Sequence, residues 1–210
     1  MHVSLPPIRL RPGQHLTPSL PLWLQLVAWS QALFWGGWWV GFRWLPEALL
    51  RGRTVAGALP IDHLPPVFRT LAIFGWNLGV LLFIGLVANQ VQVRRWPTGF
   101  VVVQVLWAMY GLTLGTNSFA APLPARPAPS LALLVQRAGI WELSAYTLAA
   151  MATASLGRAR QHSWFSGPAE KLTPSALRPG QRLLLALSVT LLLAGAVREV
   201  ITWCAAAGCD

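Results

Sequence analysis

The sequence predicts an all-α fold, a polytopic membrane helix bundle of about five transmembrane helices, from its composition and from its apolar runs. Of the 210 residues, 55% are hydrophobic and only 10% are charged. A soluble domain carries about a quarter charged residues, so this chain lacks the polar side chains to cover a surface facing water. Five spans of about 20 residues each would occupy roughly half of the chain, which suits one membrane domain.

Five apolar segments are each long enough to cross a hydrocarbon core of about 30 Å as a helix. We expect helices because a helix satisfies its own backbone polar groups, which lipid cannot do. The connections contain prolines and glycines, which interrupt helices. The predicted spans are 22–42, 70–93, 99–119, 131–156 and 183–203, in a transmembrane domain 21–203 between a polar, proline-rich tail 1–20 and a short tail 204–210.

The net charge of +10 comes from basic residues that stand in ones and twos at the ends of apolar runs. Such flanking charges fix membrane orientation and meet anionic headgroups, so we expect lipids as partners and no nucleic acid. Lys and Arg in the loops on the N-terminal side number nine, against six on the other side. This excess predicts a multi-pass protein of the cytoplasmic membrane with a cytoplasmic N-terminus.

The chain shows no pattern typical of catalysis, a cofactor or a metal site. Its histidines lie in predicted tails or loops, and its only aspartates are Asp62 and Asp210. Intramembrane proteolysis needs paired aspartates or a histidine at membrane depth. The two cysteines, Cys204 and Cys209, are either incidental thiols or a local disulfide. We therefore expect a protein that is not an enzyme and holds neither cofactor nor metal.

Small residues recur at intervals of four in most of the predicted helices. This spacing places them on one helix face, where neighbouring backbones can approach closely in a bilayer. The faces serve packing within one chain or, as the alternative, a homo-oligomer. The predicted helix-packing residues are Gly37 and Gly41, Gly75 and Gly79, Gly111 and Gly115, and Gly139, Ala145 and Ala149 in the fourth segment.

Five polar side chains are predicted to share one half of the membrane, because consecutive spans alternate in direction. Ionisable groups at that depth are costly and usually face a partner or a cavity. We expect one cluster, with an ion pair between its arginine and one of its glutamates. It acts either as a hydrogen-bonded pin between helices or as a site that handles a proton or ion or docks a partner. Its members are Asn77, Asn117, Glu142, Arg198 and Glu199.

The stretch RAGIWELSA, residues 137–145, resembles the signature of the stage II sporulation protein M family, Pro-His-Gly-x-x-Glu-Leu-Pro-Ala. Residues 194–202 resemble the closing segment of that family, where Glu199 takes the place of the family glutamate. Asn77 matches an asparagine found early in the family core. Ala138 stands where the family has histidine, so any chemistry that depends on that histidine is missing here.

The resemblance implies a five-span, non-enzymatic membrane scaffold or assembly protein that recruits membrane or cell-envelope proteins. The sporulation member works with partners that degrade peptidoglycan, but relatives occur in organisms that never sporulate. The alternative is a small transporter or channel subunit whose half-membrane cluster handles a proton or ion. A third reading is a structural subunit of a larger complex, which suits the tryptophan-rich first segment.

Overall fold

The computed structural model describes residues 20–52, 64–94, 96–119, 123–164 and 168–207. The predicted N-terminal tail and Cys209 therefore lie outside the described residues, except that the first helix begins at Leu20. The chain is mostly helical. Its helices are α1 (Leu20–Trp44), α2 (Pro66–Leu82), α3 (Thr98–Gly115), α4 (Leu131–Gln136), α5 (Gly139–Thr153) and α6 (Pro179–Ala207).

Three helical stretches of the described chain are long and apolar enough to cross a membrane: Pro66–Gln90, Thr98–Gly115 and Pro179–Ala205. The first consists of α2 and its continuation through a π-helical turn and a 3-10 turn. Large apolar side chains such as Trp29, Phe68 and Leu183 are more than half exposed on the outside of the bundle. These features are compatible with a membrane protein.

The predicted fourth helix, 131–156, is wrong as a single helix. The short α4 ends at Gln136, and Arg137 adopts an extended conformation (φ −93°, ψ 143°) before α5 begins. This break lets the guanidinium group of Arg137 lie 4.9 Å from the centre of the Phe119 ring. The α5 helix has 15 residues and ends in a 3-10 turn, Ala154–Leu156.

The five longer helices alternate in direction along the chain. Contacts at Gln104 with Leu26, and at Gly111 with Phe34, show that α1 and α3 run parallel. In the same way α2 runs parallel to α5, and α6 runs antiparallel to both. The α5 helix is the central one, because it contacts α1, α2, α3 and α6. A helix enclosed by other helices needs small side chains, and Ala145 and Ala149 are fully buried.

A small four-stranded sheet, not expected from the sequence, covers one end of the bundle. Its strands are β1 (Val91–Val93), β2 (Trp96–Pro97), β3 (Ala159–Gln161) and β4 (Ala169–Lys171), in the order β2-β1-β3-β4. Strands β1 and β3 are parallel, and each outer strand pairs antiparallel with its neighbour. We call this end, where α2 and α5 finish and α3 and α6 start, the sheet end.

Candidate functional site

A hydrogen-bonded triad joins α2 to the first half of α5. The side-chain amide of Asn77 donates to Oε1 of Glu142 at 2.6 Å, and the Tyr146 hydroxyl donates to Oδ1 of Asn77 at 2.9 Å. Glu142 and Tyr146 are four residues apart, so they lie on one face of α5. Because Asn77 uses both ends of its amide, the triad fixes how α2 sits against α5.

Glu199 approaches this triad from α6. Its carboxylate lies within electrostatic range of Glu142 and of Arg137. Gly195 allows the approach, because a Cβ there would lie 3.3 Å from Cβ of Trp141 and 3.5 Å from Cγ of Glu142. Glu199 is exposed at the bundle surface, whereas Glu142 is half-buried. Both glutamates therefore lie in the half of the bundle opposite the sheet, with Glu199 at its surface.

The predicted ion pair between Arg198 and a glutamate is wrong. Within the described residues Arg198 forms no ion pair, and its Nε donates to the carbonyl oxygen of Gln136 at 3.3 Å. Adjacent residues of a helix project about 100° apart, so Arg198 and Glu199 point in different directions. Arg137, at the break between α4 and α5, is the cation that lies near Glu199.

Asn117 does not join the predicted cluster. Its amide nitrogen donates to Oε1 of Glu47 at 2.8 Å and to the carbonyl oxygen of Leu123 at 3.0 Å, while its Oδ1 accepts from the backbone of Leu123. Its backbone is left-handed (φ 50°), a conformation that asparagine tolerates better than most residues. Asn117 thus joins the loops that follow α1 and α3. It lies at the predicted end of the bundle but does not contact Glu142.

A second buried polar network lies at the sheet end and was not predicted. Three amide side chains donate to carbonyl oxygens at the end of α5 and in the 3-10 turn that follows it: Asn89 to Ala150 at 2.9 Å, Gln181 to Ala152 at 2.8 Å, and Gln92 to Ala154 at 3.3 Å. The last carbonyls of a helix have no partner within the helix, so a buried helix end needs donors from elsewhere. We call these three side chains the amide cap.

The amide cap continues into the sheet. Oε1 of Gln92 accepts from Arg160 at 3.3 Å, and Arg160 lies 3.8 Å from the carboxylate of Glu170. These three residues occupy paired positions on β1, β3 and β4. The sequence did not indicate this network, because single amide residues in short segments form no periodic pattern. The one visible clue was the high proportion of amide residues at positions 89–92. The bundle is therefore closed by polar contacts at this end.

The predicted helix-packing glycines fall into two groups. In α1 and α3 they meet: a Cβ on Gly37 would lie 2.7 Å from the Ala108 carbonyl oxygen, and one on Gly41 would lie 3.0 Å from Cα of Gly115. Gly111 faces the carbonyl oxygen of Phe34 in the same way.

Outside the α1–α3 contact, the surroundings of the small residues differ from helix to helix. Gly139 lies under the ring of Tyr110. Gly75 and Gly79 of α2 face open space, with no atom of the described chain within 4 Å of an added Cβ. The spacing of four therefore identified the contact between α1 and α3, whereas the glycines of α2 with the same spacing face away from the described chain.

The carboxylate oxygens of Glu142 and Glu199 could accept a hydrogen bond or contact a cation, but few other side chains nearby could act as metal ligands. Among the described residues no group of three or more histidine, cysteine, aspartate and glutamate side chains could hold a metal ion. No model of a known protein family, no curated protein and no solved structure matches the chain.

Proposed function

We infer that this chain is a non-enzymatic scaffold of the cytoplasmic membrane, with five transmembrane helices, that holds membrane or cell-envelope proteins. The observation that carries this inference is the closed interior of the bundle. At one end the amide cap satisfies the carbonyls of α5, and in the other half Asn77 bonds both Glu142 and Tyr146. A transport pathway needs accessible polar groups through the full depth, which this arrangement opposes.

The five proposed spans are the three long apolar stretches together with α1 and α5. The 25 residues of α1 would cover about 37 Å at 1.5 Å per residue, more than the hydrocarbon core needs. The shorter α5 is surrounded by helices, so it does not need a full apolar length against lipid. Both run along the three long helices in alternating direction, which supports their inclusion.

The resemblance to the stage II sporulation protein M family is part of this proposal. Glu142 and Asn77, two of the residues that carry the resemblance, bond to each other across 65 positions of sequence. A contact between signature residues gives the motif a structural role that needs no catalytic chemistry. The resemblance is the basis for proposing that the chain recruits envelope partners. Ala138 differs from the family signature, which has a histidine at that position.

The N-terminus is proposed to be cytoplasmic, which places the sheet in the cytoplasm and the end of α6 outside. The excess of Lys and Arg near the sheet end supports this orientation. Cys204, in the last turns of α6, is disulfide-bonded. Because disulfides persist in oxidising compartments, this bond supports an external position for the end of α6.

A transporter or channel subunit is the second candidate, and exposed Glu199 beside Glu142 favours it. The two candidates separate in a flux measurement on the full chain reconstituted in liposomes, with a proton-sensitive or sodium-sensitive dye inside. The scaffold proposal predicts no flux above that of liposomes without protein. Flux that is lost in Glu142→Gln, but kept in the control Gln31→Leu on α1, would establish the transporter instead.

A further inference from the structure

The basic side chains at the two ends of the bundle differ in what they contact. At the end opposite the sheet, the guanidinium groups of four arginines contact other parts of the chain. Arg51 and Arg126 donate to backbone carbonyl oxygens, and Arg69 and Arg137 lie over aromatic rings. These guanidinium groups therefore already have partners in the loops and helix ends of the chain.

At the sheet end, four basic side chains are exposed and unused. Their charged groups form no hydrogen bond or ion pair with any part of the chain that the structure describes. We call these four side chains the basic surface: Arg94, Arg158, Lys171 and Arg178. Side chains that stabilise nothing within the chain remain available for a partner.

The backbone holds the members of the basic surface in place. The amide of Arg94 donates to Gln161 at 2.5 Å, and that of Arg158 donates to Gln90 at 2.8 Å. Lys171 belongs to β4, where it pairs with Ala159 of β3. The sheet thus sets the backbone positions of Arg94, Arg158 and Lys171, while the backbone N–H of Arg178 donates to Oε1 of Gln181 at 2.9 Å.

The basic surface is not neutralised by acidic neighbours. Glu170 is the one acidic residue within the four strands, and it faces Arg160 at 3.8 Å and His162 at 3.7 Å. Arg160 is buried and Glu170 is partly exposed, so this carboxylate is already paired with two cationic groups of its own sheet. The four exposed side chains of the basic surface therefore keep an excess of positive charge.

The basic surface lies where long apolar helices end. The stretch Pro66–Gln90 finishes four residues before Arg94, and the stretch Pro179–Ala205 starts directly after Arg178. Helix ends of this kind lie at the level of the phospholipid headgroups. We propose that the basic surface binds the phosphates of anionic phospholipids in the leaflet that meets the sheet. Arginine suits this ligand, because its planar group pairs with two phosphate oxygens at once.

The test measures lipid binding by native mass spectrometry of the full chain in mild detergent, titrated with phosphatidylglycerol or phosphatidylcholine. We expect a clear preference for phosphatidylglycerol that falls in high salt. Each basic residue replaced by glutamine should weaken phosphatidylglycerol binding by about fivefold, since one such charge contributes about 1 kcal/mol near a membrane. The combined variant Arg94→Gln, Arg158→Gln, Lys171→Gln, Arg178→Gln should abolish the preference.

Arg43→Gln is the control, because Arg43 is exposed at the opposite end and its side chain has no partner among the described residues. It should keep the preference for phosphatidylglycerol. Equal binding of both lipids by the unaltered chain, or full preference in the combined variant, would overturn the proposal. Loss of lipid binding in inorganic phosphate, but not in sodium chloride of the same ionic strength, would also overturn it, because the site would then recognise free phosphate. Circular dichroism of the combined variant verifies that its helices are intact.

Discussion

The carboxylate of Glu142 accepts a 2.6 Å hydrogen bond from the amide of Asn77, which lies 65 positions earlier in the chain. This contact joins the central helix α5 to α2, and Tyr146 completes it from the next turn of α5. A hydrogen bond between helices in a membrane contributes about 1 kcal/mol, and seldom more than about 2 kcal/mol. The triad therefore fixes the register of two helices rather than supplying most of the stability.

Asn77→Leu is expected to lower the stability of the chain by about 1–2 kcal/mol, because both Glu142 and Tyr146 lose their partner. Glu142→Gln should cost less, since a glutamine oxygen still accepts from Asn77. Thermal unfolding in mild detergent measures both. Equal losses in the two variants would contradict this, because they would show that the charge of Glu142 matters as much as the hydrogen bonds of Asn77.

Gly111→Ala is expected to destabilise the chain by about 1–3 kcal/mol, because the new methyl group would overlap the carbonyl oxygen of Phe34 and push α1 from α3. Gly75→Ala is the matched control. Its methyl group meets no atom of the described chain, and alanine favours a helix more than glycine does. The same unfolding measurement compares them. A larger loss in Gly75→Ala would show that α2 uses its glycines against another molecule.

Asn89→Leu is expected to loosen the sheet end of the bundle. Asn89 donates to Ala150 and Thr153 and accepts from the backbone of Gly99, so its loss leaves buried groups without partners, at a cost of about 1–3 kcal/mol. Hydrogen exchange followed by mass spectrometry should show faster exchange in the last turns of α5. Gln31→Leu on α1 should leave this exchange unchanged, and slow exchange in both variants would contradict a role for the amide cap.

The orientation can be tested with single cysteines in a chain whose Cys204 and Cys209 are replaced by alanine. With a cytoplasmic N-terminus, a membrane-impermeant maleimide added outside intact cells should label Arg43→Cys and not Arg158→Cys. Labelling of Arg158→Cys after the membrane is permeabilised shows that the position is reactive. The reverse pattern in intact cells would place the sheet outside and reject the proposed direction of insertion.

The sequence predicted the features that depend on apolar patterning and on topology. Helices occupy the first, second, third and fifth predicted segments because long apolar runs are a strong signal, although their ends differ by a few residues. The alternation of direction placed Asn77 and Glu142 in the same half of the bundle, and they do meet. Alternation of direction does not predict which helices are neighbours within the bundle, so it grouped Asn117 with Asn77 and Glu142. In the structure Asn117 donates to Glu47 instead.

The sequence could not predict features that arise from tertiary contacts. The four strands have two or three residues each, too few for an alternating pattern to be visible. The break at Arg137 depends on the contact of its side chain with Phe119, which no local pattern reveals. The expected ion pair of Arg198 does not form, because a shared depth in the membrane does not fix the direction in which a side chain leaves α6. Arg198 donates to the carbonyl oxygen of Gln136 instead.

The scaffold proposal can be decided by crosslinking in native membranes, purification in mild detergent and mass spectrometry of the attached proteins. We expect a reproducible membrane or envelope partner in fixed stoichiometry. Glu142→Gln should keep this partner, and Asn77→Leu should lose it in proportion to the fraction of the chain that is unfolded. Recovery of the chain without a partner, from membranes in which it is intact and folded, would contradict the scaffold.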